Sequence, residues 1–231
     1  MANATPSRNR RGRSTYDSSW LPTRYTPRGS DTGDDTRTFL SAIRRNPRQL
    51  GAIAPSSRRL ADLAASIVPQ TAAVVAELGP GTGVISDAIH RRMRDGSGRH
   101  LAIELNPDCA RHLERSRGDW LEVIRGDAAE LGSLLFSADV TEVDAVVSAL
   151  PWTLMGSDTQ QAILGEVAKA MAPGAAFTTV TTVTALPWPA ARRFRGLLRE
   201  VFRDVHTTSM VWRNVPPALL YVCRKPREAR T

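Results

Sequence analysis

The segment VVAELGPGTG (74–83) contains residues that can bind a charged small molecule. An apolar run ends in an acid, Glu77, and three glycines follow at alternate positions, Gly79, Gly81 and Gly83. Glycines after a strand let a ligand approach the backbone closely, as in the G-x-G-x-x-G loop that binds a pyrophosphate. The spacing here is G-x-G-x-G, and an acid beside the loop repels phosphate. The segment therefore favours a cationic ligand, with a plain strand-to-helix turn as the alternative.

Two further acids follow apolar runs. Glu104 lies about 20 residues beyond Gly83, the separation at which an acid binds ribose hydroxyls in nucleotide-binding folds. Asp127, in the sequence GDA, is placed to accept a hydrogen bond from an exocyclic adenine amine. An ordinary strand-end acid and a helix N-cap are the respective alternatives. Together with Glu77, these residues indicate a nucleoside ligand that carries positive charge, and S-adenosylmethionine fits that description.

The fourth apolar run ends in SALPW (148–152), where a proline bend precedes a tryptophan. This bend is expected to place backbone carbonyls and the Trp152 indole beside the sulfonium methyl group. An indole face attracts a methylated ammonium by about 0.5–2 kcal/mol through a cation–π interaction. Leu150, Pro151 and Trp152 are therefore candidate catalytic residues, with packing at the strand end as the alternative for Trp152.

Methyl transfer to an amine also requires that the amine lose a proton, because an ammonium with a pKa of about 10.4 has no lone pair to react. His206, in a predicted terminal strand, is the candidate base, with a structural histidine as the alternative. The sequence has no HExxH, CxxC or carboxylate cluster, so no metal ion is predicted. Much of the catalysis is then expected from alignment and desolvation of the reactants.

The elements that must position these residues alternate from residue 72 onward. Helical patterns separate five apolar or β-branched runs, and a terminal antiparallel pair follows them. The predicted strands are 74–78, 100–105, 121–127, 144–151, 176–183, 205–212 and 218–224. Such alternation predicts an α/β fold with a mostly parallel sheet, helices on both faces and a ligand site at the carboxyl ends of the strands.

The first 71 residues have a different character. Residues 1–35 are rich in Ser, Thr, Gly, Pro and Arg and are predicted to be a disordered basic tail. The segment 36–71 is predicted to be a helical extension that serves as membrane anchor and lid. Its first helix is amphipathic, with Phe39 and Ile43 on the apolar arc, and Ser56 or Ser57 caps its second. Residues 72–224 then form the catalytic domain, and 225–231 a basic tail.

The net charge of +8 lies in the two ends of the chain. Residues 1–30 hold six arginines against one aspartate, and residues 224–231 hold four basic residues against one glutamate, so residues 31–223 are neutral. A neutral folded part disfavours a nucleic-acid enzyme, whereas basic tails either contact an anionic surface or keep the chain in solution. No apolar run of about 20 residues is present, which disfavours a membrane span. Two distant cysteines and the absence of an apolar run after the basic N-terminus favour the cytoplasm.

These motifs resemble a known family. ELGPGTG, AIELNP, GDA and SALPW are similar to the class I S-adenosylmethionine-dependent methyltransferases, which have a Rossmann-like seven-stranded sheet. FLSAIRRNPRQLGAIAPSSRRLA (39–61) and VWRNVPPALLYVCRK (211–225) resemble the soluble bacterial phospholipid N-methyltransferases, over about residues 37–225. The resemblance implies S-adenosylmethionine as cofactor and phosphatidylethanolamine in an anionic membrane surface as acceptor, on a peripheral cytoplasmic enzyme. The residues expected to bind the cofactor are Glu77, Gly79, Gly81, Gly83, Glu104, Leu105, Asp127, Ala128 and Ser148.

Two departures bear on the acceptor. The related rRNA adenine dimethyltransferases carry an Asn before the Leu-Pro of the fourth strand, whereas this chain has Ser148 and Ala149, which counts against a nucleic-acid base. The run TLMGSD after Trp152 also differs from the hydrophobic and proline-containing run of the phospholipid family. A methyltransferase of the same fold that acts on RNA or on a small metabolite is therefore the alternative. A non-catalytic cofactor-binding module is disfavoured by the complete set of strand-end residues.

Overall fold

A computed structural model describes residues 56–93 and 98–227, which form one sheet with helices on both faces. The strands are β1 Val74–Leu78, β2 Arg99–Glu104, β3 Glu122–Arg125, β4 Val143–Ser148, β5 Met171–Thr182, β6 Phe202–Thr207 and β7 Ala218–Pro226. The helices are α1 Arg58–Ser66, α2 Val84–Arg92, α3 Pro107–Arg117, α4 Leu131–Ser137, α5 Ser157–Ala170 and α6 Pro189–Val201. Short 3₁₀ helices lie at Gly118–Trp120, Ala128–Glu130, Trp152–Leu154 and Val183–Ala185.

The seven strands follow the order β3-β2-β1-β4-β5-β7-β6. Neighbours from β3 to β5 are parallel, and β7 runs antiparallel between β5 and β6. The chain builds the sheet outward from β1 toward β3, then crosses to β4 and continues toward the other edge. Parallel sheets bind ligands beyond the carboxyl ends of the strands at such a reversal. The predicted fold class is confirmed.

The two faces of the sheet bury different helices. Ala76 and Leu78 belong to the core beneath α4, α5 and α6, whereas Val75 of the same strand packs beneath α1 and α2. Strand side chains alternate between faces, so one apolar strand supplies both cores. Leu113 of α3 packs on Ala102, on the same face as α1 and α2. This three-layer arrangement places the central strand β1 between helices on both faces.

Local signals set two helix starts as predicted. The Ser57 hydroxyl accepts from the Leu60 amide and caps α1, and Asn106 caps α3 with Pro107 as its first residue. Helix α1 buries its apolar face against α2, so this part of the predicted extension belongs to the core of the fold. The predicted amphipathic helix and most of both tails fall on residues 1–55 and 228–231, outside the described residues.

Two strands differ most from the predictions, whereas the other strands agree to within three residues at each end. Strand β5 begins at Met171, which pairs with Val143, and the ladder shifts register before it resumes, so Gly174 lies within the strand with a φ of +86°. Strand β6 ends at Thr207, which leaves residues 208–217 as a loop. Strand β6 also begins three residues earlier than predicted, because Phe202 stacks on Phe177 with ring centroids 5.7 Å apart and draws the chain into the sheet directly after α6.

The two cysteines differ in burial, and therefore in how readily their thiols react. Neither Cys109 nor Cys223 forms a disulfide. Burial raises the pKa of the Cys223 thiol to about 12, so the reactive thiolate is scarce at neutral pH. Cys109, on α3, is only half-buried.

We expect iodoacetamide to label the native chain at Cys109 alone, and to label Cys223 only after unfolding. Mass spectrometry of the alkylated peptides measures both sites, and Cys109→Ser is the control that removes the native signal. Labelling of Cys223 in the native protein at the rate of an exposed thiol would contradict its place in the core.

Candidate functional site

Four strand ends meet at the carboxyl edge of the sheet. The residue after each of β1, β3 and β4 continues the hydrogen bonding of the ladder, which holds the loops side by side. These bonds run from Gly79 N to the Ile103 carbonyl (2.9 Å), from Gly126 N to the Glu104 carbonyl (3.2 Å) and from Ala149 N to the Leu78 carbonyl (3.0 Å). The predicted cofactor loops are therefore neighbours.

The glycine loop between β1 and α2 has a left-handed backbone, with φ of +70° at Gly79, +58° at Gly81 and +82° at Gly83. A side-chain carbon on Gly79 would lie 2.8 Å from Cδ2 of Leu150, and one on Gly83 would meet Arg117 at the same distance. A side-chain carbon on Gly81 would meet no atom within 4 Å. The first and third glycines thus allow close packing, and the middle one faces open space that a ligand can enter.

Glu104 joins the glycine loop to the start of α3. Its Oε2 accepts from the Gly81 amide at 3.1 Å and its Oε1 from the Asn106 amide at 2.9 Å. The side chain is 8% exposed, at the surface of the same open space. A carboxylate oxygen can accept more than one hydrogen bond, so this carboxylate has the chemistry to bind ribose hydroxyls while it holds the loop.

Arg117 at the end of α3 clamps the loop from the other side. Its guanidinium donates to both carboxylate oxygens of Asp87, at 2.8 and 3.1 Å, and to the Thr82 carbonyl at 3.0 Å. Asp87 lies in the first turn of α2, so Arg117 fixes α2 and the glycine loop together. Sequence reasoning missed this residue, because an arginine at a helix end carries no motif and its two partners are 30 and 35 residues away.

Asp127 follows β3 and starts the 3₁₀ helix that begins at Ala128. Its Oδ1 accepts from the Ala129 amide at 3.0 Å, so this oxygen caps the 3₁₀ helix, as the alternative from the sequence expected. The Ala128 side chain is buried in the core, which leaves its backbone as the part that faces the strand end. The adenine role of both residues stays a prediction.

The loop after β4 is held by side chains of the core. Ser148 is fully buried, and its hydroxyl accepts from Nε1 of Trp152 at 3.1 Å and from the Leu150 amide at 3.3 Å. The Trp152 ring stacks on Phe194 at 4.8 Å and meets Phe177 edge-on at 6.0 Å. With 3% of its surface exposed, Trp152 packs in the core of this structure, and the predicted contact of its indole face with an acceptor ammonium stays a prediction.

Comparison with known proteins places the chain. No family model matches it. It is 31% identical over 195 residues to an ornithine lipid N-methyltransferase of Singulisphaera acidiphila, and the match covers 83% of this chain and 96% of that protein. The chain belongs to the family of that enzyme. It is a class I S-adenosylmethionine-dependent methyltransferase, which confirms the predicted enzyme class and cofactor.

Two further similarities are more limited. A probable ribosomal RNA small subunit methyltransferase A of Thermococcus onnurineus is 36% identical over 83 residues, which cover 35% of this chain and 26% of that protein. The structure of Aeropyrum pernix fibrillarin with bound S-adenosyl-L-methionine superposes with a TM-score of 0.51 at 17% identity. That match covers 70% of this methyltransferase and 72% of fibrillarin, and it shows a shared fold.

The methyltransferase brings most of its predicted cofactor residues to one edge, but it places two predicted residues elsewhere. The carboxylate of Glu77 is fully buried beneath α2, where it accepts from the Ser86 hydroxyl at 2.6 Å and lies 3.2 Å from Nε2 of His100. In this structure residue 77 points to the face that α2 covers, and its predicted contact with a cationic ligand stays a prediction. Glu77 supports the start of α2.

His206 lies apart from the site. It is exposed on β6, the edge strand, three strand spacings from β4, or about 14 Å. That distance does not suit a base for an amine beside β4. Tyr221, on β7, is no substitute, because burial raises the pKa of its hydroxyl, against a smaller opposing effect of Arg195 and Arg199.

The residues at this edge have the chemistry to bind S-adenosylmethionine. Gly81 adjoins open space, Glu104 supplies acceptors for hydroxyls, and Leu105, half-buried in the next turn, adds an apolar surface. Leu150 and the half-buried Pro151 lie across the Gly79 backbone, on the side of β4. In residues 56–93 and 98–227, no group of three or more His, Cys, Asp or Glu side chains is arranged to hold a metal ion.

We expect Glu104→Gln to weaken binding of S-adenosylmethionine at least about tenfold, because hydrogen bonds to a charged group contribute roughly 1.5–3 kcal/mol each. Calorimetric titration measures the affinity, and Glu114→Gln, on the exposed side of α3, is the matched control. Unchanged affinity in a folded Glu104→Gln protein would mean that the carboxylate only holds the loop.

Trp152→Ala should lower the free energy of unfolding by about 3–5 kcal/mol, as expected for removing a buried aromatic ring. Trp152→Phe keeps a ring against Phe194 and should cost less, since it loses mainly the hydrogen bond to Ser148, worth about 1 kcal/mol. Urea denaturation measures both variants. A Trp152→Ala protein with wild-type stability and abolished turnover would return Trp152 to the acceptor site.

Proposed function

We propose that this methyltransferase methylates the amine of a membrane-lipid headgroup. The observation that carries the proposal is the identity of 31% to a lipid N-methyltransferase over 96% of that relative's length. A match of this extent includes the segments before and after the cofactor loops, where acceptor specificity is expected to lie.

The roles proposed for the residues follow from their positions. Bound S-adenosylmethionine supplies a methyl group on a sulfonium, which an amine lone pair can displace. Glu104 binds the ribose hydroxyls, Asp127 contacts the adenine amine, and the backbone of the glycine loop lies against the rest of the nucleoside. Leu150 and Pro151 cover the reacting centre from β4 and exclude water from it.

The acceptor amine must arrive without its proton. Each transfer forms one N–C bond and breaks one S–C bond, and an acceptor that begins as an ammonium releases one proton first. Because His206, the candidate base, lies on the edge strand β6, no described side chain at this edge is assigned as base. We propose that the rate enhancement comes from alignment and desolvation of the amine. Intramolecular reactions show that alignment alone can accelerate a reaction by many orders of magnitude.

Two lipid headgroups carry suitable chemistry. Phosphatidylethanolamine, predicted from the sequence, and an ornithine lipid, named in the relative, both present an amine at a membrane surface. Neither cysteine forms a disulfide, which supports a peripheral enzyme on the cytoplasmic side. No helix within the described ranges is long and apolar enough to cross a membrane.

RNA is the second candidate acceptor. It is favoured by the 36% identity over 83 residues to a probable rRNA methyltransferase. It is opposed by the neutral balance of residues 31–223 and by the Ser148-Ala149 pair in place of an Asn before Leu-Pro. The partial extent of that match makes RNA the weaker candidate.

The deciding experiment offers labelled S-adenosylmethionine with vesicles of phosphatidylethanolamine, vesicles containing ornithine lipid, ribosomal RNA, and free ethanolamine or ornithine. We expect label in one or both lipid fractions and none in RNA. At S-adenosylmethionine concentrations below saturation, Glu104→Gln is the low-activity control and Glu114→Gln the fully active one. Label confined to RNA or to the free amines would overturn the proposal.

A further inference from the structure

Residues 208–217, the β6–β7 loop, present apolar side chains to solvent. Trp212 is 73% exposed and Val215 is 79% exposed, and Phe136 is the only other large hydrophobic side chain in the described residues that is as exposed. Arg213, between the two, is also exposed. Large exposed apolar side chains that lie close together mark a surface that binds something.

The loop holds these side chains outward. Asn214 is 5% exposed, its Oδ1 accepts from the Ser57 amide at 2.8 Å, and its Nδ2 donates to the Pro216 carbonyl at 2.7 Å. Val211 donates from its amide to the Ala218 carbonyl at 2.7 Å and closes the base of the loop. The exposure of Trp212 and Val215 is therefore a property of an anchored loop.

The loop lies at the same edge of the sheet as the cofactor residues. Strand β7 begins with Ala218 beside Thr182, the last residue of β5, and the Val183 amide donates to the Pro217 carbonyl at 2.8 Å. This bond joins the β6–β7 loop to the segment that leads into α6, where Trp188 is half-buried.

The two segments joined by this bond carry only basic charged residues. Residues 183–193 and 207–217 contain no Asp or Glu. Arg213 is exposed in the loop, and Arg192 and Arg193 are exposed within about 6 Å of the start of α6 along its axis. Tryptophan prefers the boundary between lipid headgroups and acyl chains, and arginines near an anionic leaflet add attraction. The exposed tryptophan and the exposed arginines of these segments therefore both favour contact with an anionic bilayer.

We propose that the β6–β7 loop docks the enzyme on an anionic lipid bilayer, with Trp212 and Val215 inserted at the headgroup boundary and Arg213 against lipid phosphates. The proposal rests on the proposed function, since it brings the carboxyl edge to the layer where a headgroup amine lies. It adds a specific contact surface, distinct from the cofactor loops and from the N-terminal segment predicted to bind membranes.

The test is flotation of the full chain with vesicles of phosphatidylglycerol and phosphatidylcholine, which contain no acceptor amine. Binding can therefore be measured without turnover. The double variant Trp212→Ala, Val215→Ser should bind about tenfold or more weakly, because it loses most of the inserted apolar area. Arg213→Gln should bind anionic vesicles roughly fivefold more weakly than wild type, and its binding to neutral vesicles should equal that of wild type.

Phe136→Ala is the matched control. Phe136 is 79% exposed near the end of α4, at the amino edge of the sheet, so its removal should leave vesicle binding and methyl transfer unchanged. Insertion is read directly from tryptophan fluorescence with phospholipids brominated on their acyl chains. We expect the lipids to quench wild-type fluorescence, and Trp212→Phe to keep vesicle binding but lose the quenched component. Wild-type affinity for S-adenosylmethionine shows that each variant is folded.

The outcomes separate the two proposals. Equal flotation of wild type and the double variant, or quenching that persists in Trp212→Phe, would overturn the docking surface even if lipid amines are methylated. Loop-dependent flotation without methyl transfer to any lipid would support the surface and overturn the proposed acceptor. A loss of binding in Phe136→Ala equal to that of the double variant would also overturn the assignment, because binding would then depend on exposed apolar area anywhere on the protein.

Discussion

The Glu104 carboxylate connects the parts of this enzyme on which the site depends. One oxygen receives the Gly81 amide and the other receives the Asn106 amide, so a single nearly buried side chain holds the glycine loop against the start of α3. Buried carboxylates are stable only when such hydrogen bonds replace water. The loop in turn needs glycines, because its backbone is left-handed where it passes Leu150 and Arg117. The residue predicted to bind the ribose is thus also the one that shapes the loop.

This arrangement is possible because β1 lies at the centre of a parallel sheet. Its neighbours β2 and β4 end at the same edge, and the reversal of strand order between β1 and β4 separates the loops that follow them. On one side, α2 and α3 are locked together by Arg117 and Asp87. On the other side, the loop after β4 is stiffened by the hydrogen bond of Trp152 to Ser148 and by its stacking on Phe194. The cofactor edge is therefore rigid on both flanks, which suits a reaction that depends on alignment.

Predictions from the sequence were most accurate where the signal is local. Alternating apolar runs and helical patterns identified the sheet, and side chains near in sequence identified the caps at Ser57 and Asn106. Strand limits were less accurate when pairing decided them. Met171 joins β5 because Val143 lies opposite, and Phe202 begins β6 because Phe177 provides a stacking partner, and neither partner is visible in a local pattern.

The sequence by itself determined which residues follow the strands, and therefore that Gly79, Gly81, Gly83, Glu104 and Asp127 meet at one edge. The tertiary structure decided where the remaining side chains point. Successive residues of a strand face opposite sides of a sheet, so Glu77 is covered by α2 although it stands directly before the loop. A tryptophan that follows a strand can be either exposed or buried. Trp152 is buried because Phe177 and Phe194 provide aromatic partners in the core. Asn214 holds the outward-facing β6–β7 loop through a partner 157 residues away, a contact that forms only when the start of α1 and the β6–β7 loop have packed on the same sheet.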